Sequence, residues 1–136
     1  MRQRPRQDNL REQRGATAVE FALIVPLLIV LVLGIAEFGR AFQVQGTLSA
    51  AAREGVRVMA LQNDQVAAKA AVRNAATSLD PTITDAEILI SPAACPTVNG
   101  GSTSVRLTIS YPMPYLTGFF GSSLDLTGTG VMRCDG

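Results

Sequence analysis

From Phe21 to Ala36 the chain carries no ionisable side chain. Counted from Ala16, the apolar stretch is about twenty-one residues, roughly 31 Å of helix at about 1.5 Å per residue, which matches one bilayer span. Its large apolar side chains contribute roughly −4 to −7 kcal/mol on the insertion scale. An acid of the Asp kind at the centre would cost about +2.5 to +3.5 kcal/mol, so insertion wins despite Glu20 near the front edge. Pro26 removes one backbone bond and crowds the Ala22 carbonyl, which predicts a modest kink. Beyond the span the period stays helical. Phe38, Ala41, Phe42, Leu48, Ala52, Val56 and Met59 fall mostly three and four apart along one side, while Arg40, Gln43, Thr47 and Arg57 fall largely elsewhere. One helix from about Thr17 to about Gln62 is therefore expected, half in lipid and half in an external domain.

Asn63-Asp64 is expected to interrupt that helix and cap a second one from about Gln65 to Leu79, which Asp80-Pro81 ends. Past Thr82 the pattern changes to period two, first at Glu87 to Ile90. Val105, Leu107, Ile109 and Tyr111 then alternate with Ser104, Arg106, Thr108 and Ser110 as a half-buried strand. Asn99-Gly100-Gly101 suits an antiparallel connection between the two. Pro112 and Pro114 are expected to stop the second strand, and Leu124 to Met132 gives a third. Leu116 to Phe120 is an apolar patch that would pack over the sheet edge or meet a partner. The expected fold is α+β: a long N-terminal helix, a second helix, then a small antiparallel sheet of about three strands. Residues 1–15 read as a basic leader or cytoplasmic tail, 16–37 as the transmembrane helix and 38–136 as the external domain.

Charge sets the expected orientation. Arg2, Arg4, Arg6, Arg11 and Arg14 outnumber Asp8 and Glu12 in the N-terminal flank, and an arginine excess marks the cytoplasmic side. The C-terminal domain is then external, on a single-pass membrane protein. An ordinary secretory signal fits poorly, because the apolar run exceeds an h-region of about 7–15 residues and Gly34-Ile35-Ala36-Glu37-Phe38 lacks a small-residue cleavage pattern. The overall charge of +1 conceals a mildly acidic remainder without tryptophan, which offers nucleic acid neither a basic face nor a stacking platform. The chain contains no histidine, which removes histidine-based triads and imidazole metal sites. No nucleophile motif stands out, and neither an enzyme nor a cofactor is expected.

Cys95 and Cys134 are the two cysteines, too few for a cysteine zinc site without help from carboxylates. A bridge between them would close a loop of about 40 residues, a constraint that a small, thin-cored domain outside the cytoplasm needs and that is worth roughly 4 kcal/mol. Two free thiols or a redox pair are the alternatives. Glu37 and Arg40 stand three apart where the span ends, either as an exposed helical pair or as an anchor or intersubunit contact. Arg53, Glu54 and Arg57 form either a solvated face or a docking surface. Gly34, Gly46, Ala50, Ala51, Ala52 and Gly55 permit close helix approach, and core packing explains the later ones equally well.

The run Arg14-Gly15-Ala16-Thr17-Ala18-Val19-Glu20-Phe21-Ala22-Leu23, followed by Pro26, resembles the opening of the TadE-like pseudopilins. Glu37-Phe38-Gly39-Arg40 and Ala51-Ala52-Arg53-Glu54-Gly55-Val56-Arg57 are similar to later blocks of that family, in the same order. The resemblance covers roughly residues 14 to 57. It implies a type IV pilin-like fold and a minor pilin or pseudopilin of a tight-adherence (Tad, or Flp-type) pilus and secretion system, made to assemble and to serve adhesion. It further implies cleavage between Gly15 and Ala16 by a membrane-embedded prepilin peptidase. Glu20, followed by Phe21, then becomes the fifth residue of the mature chain. The implied partners are other Tad pilins and pseudopilins, the prepilin peptidase, the inner-membrane assembly platform and membrane lipid. An unprocessed single-pass scaffold whose external domain binds partners is the alternative, and a membrane-tethered envelope enzyme is a third.

Overall fold

The computed structural model describes residues 8–96 and 103–134, with side chains from Gly15 onward. The first residues of the leader and the Asn99-Gly100-Gly101 connection lie outside the described residues. The chain divides into two compact units, Met1–Glu37 and Phe38–Gly136.

Helix α1 (Asp8–Gln62) contributes to both units and continues through Pro26. It starts at Asp8, earlier than the apolar pattern alone would place it. Arg11, Glu12, Gln13 and Arg14 are good helix formers, and extending an existing helix avoids the cost of nucleation. In the first unit its apolar side chains are exposed to whatever surrounds the helix, among them Phe21, Leu23, Leu27, Leu31 and Ile35.

The second unit is a helix layer on one face of a three-stranded sheet. At its corner Asn63 adopts a left-handed φ of 50° and donates its backbone N–H to the Met59 carbonyl at 2.9 Å, which ends α1. Asp64 then accepts from the Val66 and Ala67 amides at 2.8 and 3.2 Å and caps α2 (Gln65–Ala75). This second helix stops short of Leu79, because Thr77 and Ser78 are weak helix formers and the chain turns at Ala76. Glu87 is not yet strand. It lies in a short 3₁₀ turn, Asp85–Glu87, and its carboxylate accepts from the Thr84 amide and hydroxyl at 2.7 and 2.9 Å. Thr84-Asp85-Ala86-Glu87 spells out that capping box in the sequence.

The strands β1 (Ile88–Ser91), β2 (Ser104–Pro114) and β3 (Ser123–Arg133) are antiparallel in the order β1-β2-β3. Ile88 pairs with Ile109 and Ile90 with Leu107, while Leu107 and Ile109 face Gly130 and Gly128 across the other edge. The period-two pattern thereby puts Val105, Leu107, Ile109, Tyr111 and Met113 on one buried face. Leu48, Ala51, Ala52, Val56 and Met59 of α1, with Ala68 and Val72 of α2, complete the core.

Two further sequence expectations need correction. Pro112 and Pro114 do not stop β2, which pairs through Pro114 with Ser123. Strand β1 pairs only with Arg106 to Ile109, so the far half of β2 has an open edge where a missing N–H costs no ladder bond. Phe38 and Phe42 do not join the core side of α1: both are exposed, and the buried series begins at Val44.

Candidate functional site

The sequence-derived residues other than the cysteines and the small residues fall into three groups. Gly15, Ala16, Glu20 and Phe21 sit on the exposed surface of α1, at the front of the apolar run. A Cβ at Gly15 would meet nothing within 4 Å, so the glycine answers no packing demand inside this chain. Helical geometry places Ala16 and Glu20 four apart on one face.

The second group lies where the apolar run ends. Glu37 is only 4% exposed and Arg40 is half-buried, so neither is a solvated surface charge. The Arg40 guanidinium instead donates to the Pro114 carbonyl at 2.7 Å, which ties the helix to the last residue of β2 across 74 positions of sequence. Beside it opens a cleft of about 130 Å³ lined by Arg40, Gln43, Thr47, Asp80 and Tyr111. The Tyr111 hydroxyl donates to the Pro81 carbonyl at 2.9 Å.

Burial pushes the Tyr111 phenol above its ordinary 10.0. The positive charge of Arg40 opposes that shift, and the carboxylates of Asp80 and Glu87 add to it. Because the folded value is the higher one, the contribution of the neutral phenol is complete below the unfolded value of 10.0 and is lost as pH rises through the folded value. Tyr111→Phe is expected to lower stability by about 0.5–1.5 kcal/mol at neutral pH, through loss of the bond to Pro81. It should also remove part of the alkaline fall in stability. Urea unfolding of the detergent-solubilised chain from neutral to strongly alkaline pH checks both.

The third group is Arg53, Glu54 and Arg57, all exposed on α1. Glu54 and Arg57 approach to 3.9 Å as a solvated pair, a contact worth only about 0.2–0.5 kcal/mol, so these charges remain available to another surface. Cys95 and Cys134 lie at disulfide geometry with Cα atoms 5.7 Å apart. Sequence reasoning missed how the Cys95 segment is held: the Asn63 side chain accepts from the Cys95 amide at 2.6 Å and donates to its carbonyl at 3.3 Å. Only the helix-stop character of Asn63 was visible in the sequence.

The small residues divide between two tasks. Gly34 and Gly46 have nothing within 4 Å of a built Cβ. At Gly55 such a Cβ would collide with Val72 and come within 2.7 Å of Leu107. Ala51, Ala52 and Gly55 therefore serve the core of the second unit.

Among the described residues, one helix, Gly15–Gln62, is long and apolar enough to cross a membrane, and its most apolar window buries no residue inside the protein. Together with the small α+β unit this defines the class, a protein with one N-terminal helix of membrane-anchor character. The family model described as TadE-like protein matches residues 15–57, so that segment of the chain is similar to TadE-like proteins. The match takes in Gly15, Glu20, Glu37, Arg40 and the Arg53–Arg57 block, and ends at the heart of the α1 core face. No curated protein and no solved structure matches the chain.

Proposed function

We propose that this protein is a minor pilin or pseudopilin of a Tad (Flp-type) pilus assembly and secretion system. It inserts with its arginine-rich N-terminus in the cytoplasm and its α+β unit outside, is trimmed after Gly15 by a prepilin peptidase, and joins other Tad pilins through its apolar helix to support pilus biogenesis and adhesion. It acts by assembly and uses no catalytic machinery or cofactor. One observation carries this reading: an exposed, membrane-length apolar helix opens with a carboxylate at the fifth position after a glycine, inside the TadE-like match.

The physical use of that carboxylate follows from its surroundings. In a bundle of packed spans, the amine freed on Ala16 of one subunit and the Glu20 carboxylate of its neighbour neutralise each other in a low-dielectric setting. The pair fixes register, since any slip leaves a charge unpaired at a cost of about 3–5 kcal/mol. Glu20→Ala is expected to leave membrane insertion intact or improved, because an acid is removed from the span. Recovery of the protein with sheared pili, or in pulldowns with other Tad pilins, should fall at least about tenfold, the equivalent of roughly 1.4 kcal/mol. Unchanged recovery at equal membrane abundance would contradict the register role.

A further inference from the structure

The turn between β2 and β3 carries an exposed apolar tip that the core does not use. Phe119 is 79% exposed and Phe120 51%, with Leu116 also exposed. Gly118 and Gly121, with φ of +34° and +118°, bracket the two phenylalanines, and these left-handed conformations let the chain turn sharply on either side. No charged residue occurs between Pro114 and Asp125. Strand β2 ends at Pro114, whose carbonyl is held by Arg40, so the tip belongs to the end of the second unit at which Arg40 sits. Phe38 and Phe42, both exposed, flank Arg40 in the chain.

Chain connectivity brings that end to the bilayer surface. Arg40 stands four positions after Ala36, the last residue of the apolar run, which is roughly 6 Å at about 1.5 Å per helical residue. The headgroup layer on one side of a bilayer is roughly 5–8 Å deep. A charge-free aromatic turn at that level suits the interface, where aromatic rings concentrate. We infer that the β2–β3 turn, through Phe119 and Phe120, is a second membrane contact that docks the external unit onto the lipid headgroup boundary. The occupant of this patch is lipid, because the tip carries no charged side chain and lies at the end of the second unit where the chain enters from the apolar run. This inference rests on the membrane-spanning reading of the apolar helix.

The absence of tryptophan makes the test direct. The full chain carrying Phe119→Trp is reconstituted at high dilution in phosphatidylcholine–phosphatidylglycerol vesicles, part of the phosphatidylcholine bearing bromine on the upper acyl carbons. Ile29→Trp, within the span, and Val66→Trp, an exposed site on α2, are prepared alongside. Phe119→Trp should be blue-shifted and quenched by the brominated lipid at least about twofold more than Val66→Trp, with Ile29→Trp quenched as the span requires. Quenching of Ile29→Trp with Phe119→Trp no more quenched than Val66→Trp would overturn the inference and leave the span intact. A blue-shifted Phe119→Trp that bromine does not quench would mean protein contact, and also overturns it. Failure of Ile29→Trp to quench would remove the span itself and the inference with it.

Discussion

Gly130→Ala is expected to destabilise the second unit by about 1–3 kcal/mol or more, the range for forcing atoms into a filled core. A Cβ at this position would lie 2.5 Å from the Ala52 carbonyl oxygen and 2.9 Å from a Val56 methyl; at Gly128 it would lie 2.6 Å from the Leu48 carbonyl oxygen. The two carbonyl oxygens are helix backbone, which cannot rotate away as a flexible side chain does. The two glycines let α1 lie directly on β3, with Leu48 and Ala52 over the gap that missing side chains leave. For a unit of this size each kcal/mol corresponds to about 4–8 °C in Tm. Thermal unfolding of the detergent-solubilised chain should therefore fall by at least about 4 °C. Gly46→Ala provides the contrast, since nothing lies within 4 Å of a Cβ there and alanine is favoured over glycine inside a helix by up to about 1 kcal/mol. Equal losses at the two sites would contradict the packing account.

Cys95→Ser is expected to lower stability by about 4 kcal/mol under oxidising conditions and by little once both proteins are reduced. The bridge to Cys134 spans 39 positions, and closing a loop of that length removes unfolded-chain entropy worth about 4 kcal/mol. The contrast between redox conditions isolates the cross-link, because the backbone bonds from Asn63 to Cys95 survive the substitution. Denaturant midpoints with and without reductant measure it. A loss of the same size in reductant would assign the effect to packing around the cysteine and leave the cross-link without a role.

Much of the fold was legible because it depends on local pattern. The period-two alternation of Val105 to Tyr111 fixed the inward face of β2, and Asn63-Asp64 carried both the stop of α1 and the cap of α2. What the sequence hid depends on neighbours. Pro112 looked like a strand stop because a proline in a fully paired strand would be one, yet β1 is too short to reach it. Phe38 and Phe42 shared the helical spacing of Leu48 and Ala52, but periodicity identifies an apolar side without saying what covers it. Arg40 read either as half of a helical pair or as an anchor or intersubunit contact, and nothing in its spacing pointed to the Pro114 carbonyl to which it donates across 74 positions. At the N-terminal site the reverse holds. Gly15, Ala16 and Glu20 are exposed on α1, and their arrangement was visible in the sequence.

The measurement that bears most directly on the assembly role is the N-terminal mass of the membrane-extracted protein, expressed with and without its prepilin peptidase. A chain starting at Ala16 only when the peptidase is present is the expected result, and Gly15→Leu should abolish that difference. A start at Met1 in both preparations would contradict processing and leave an unprocessed single-pass scaffold in its place.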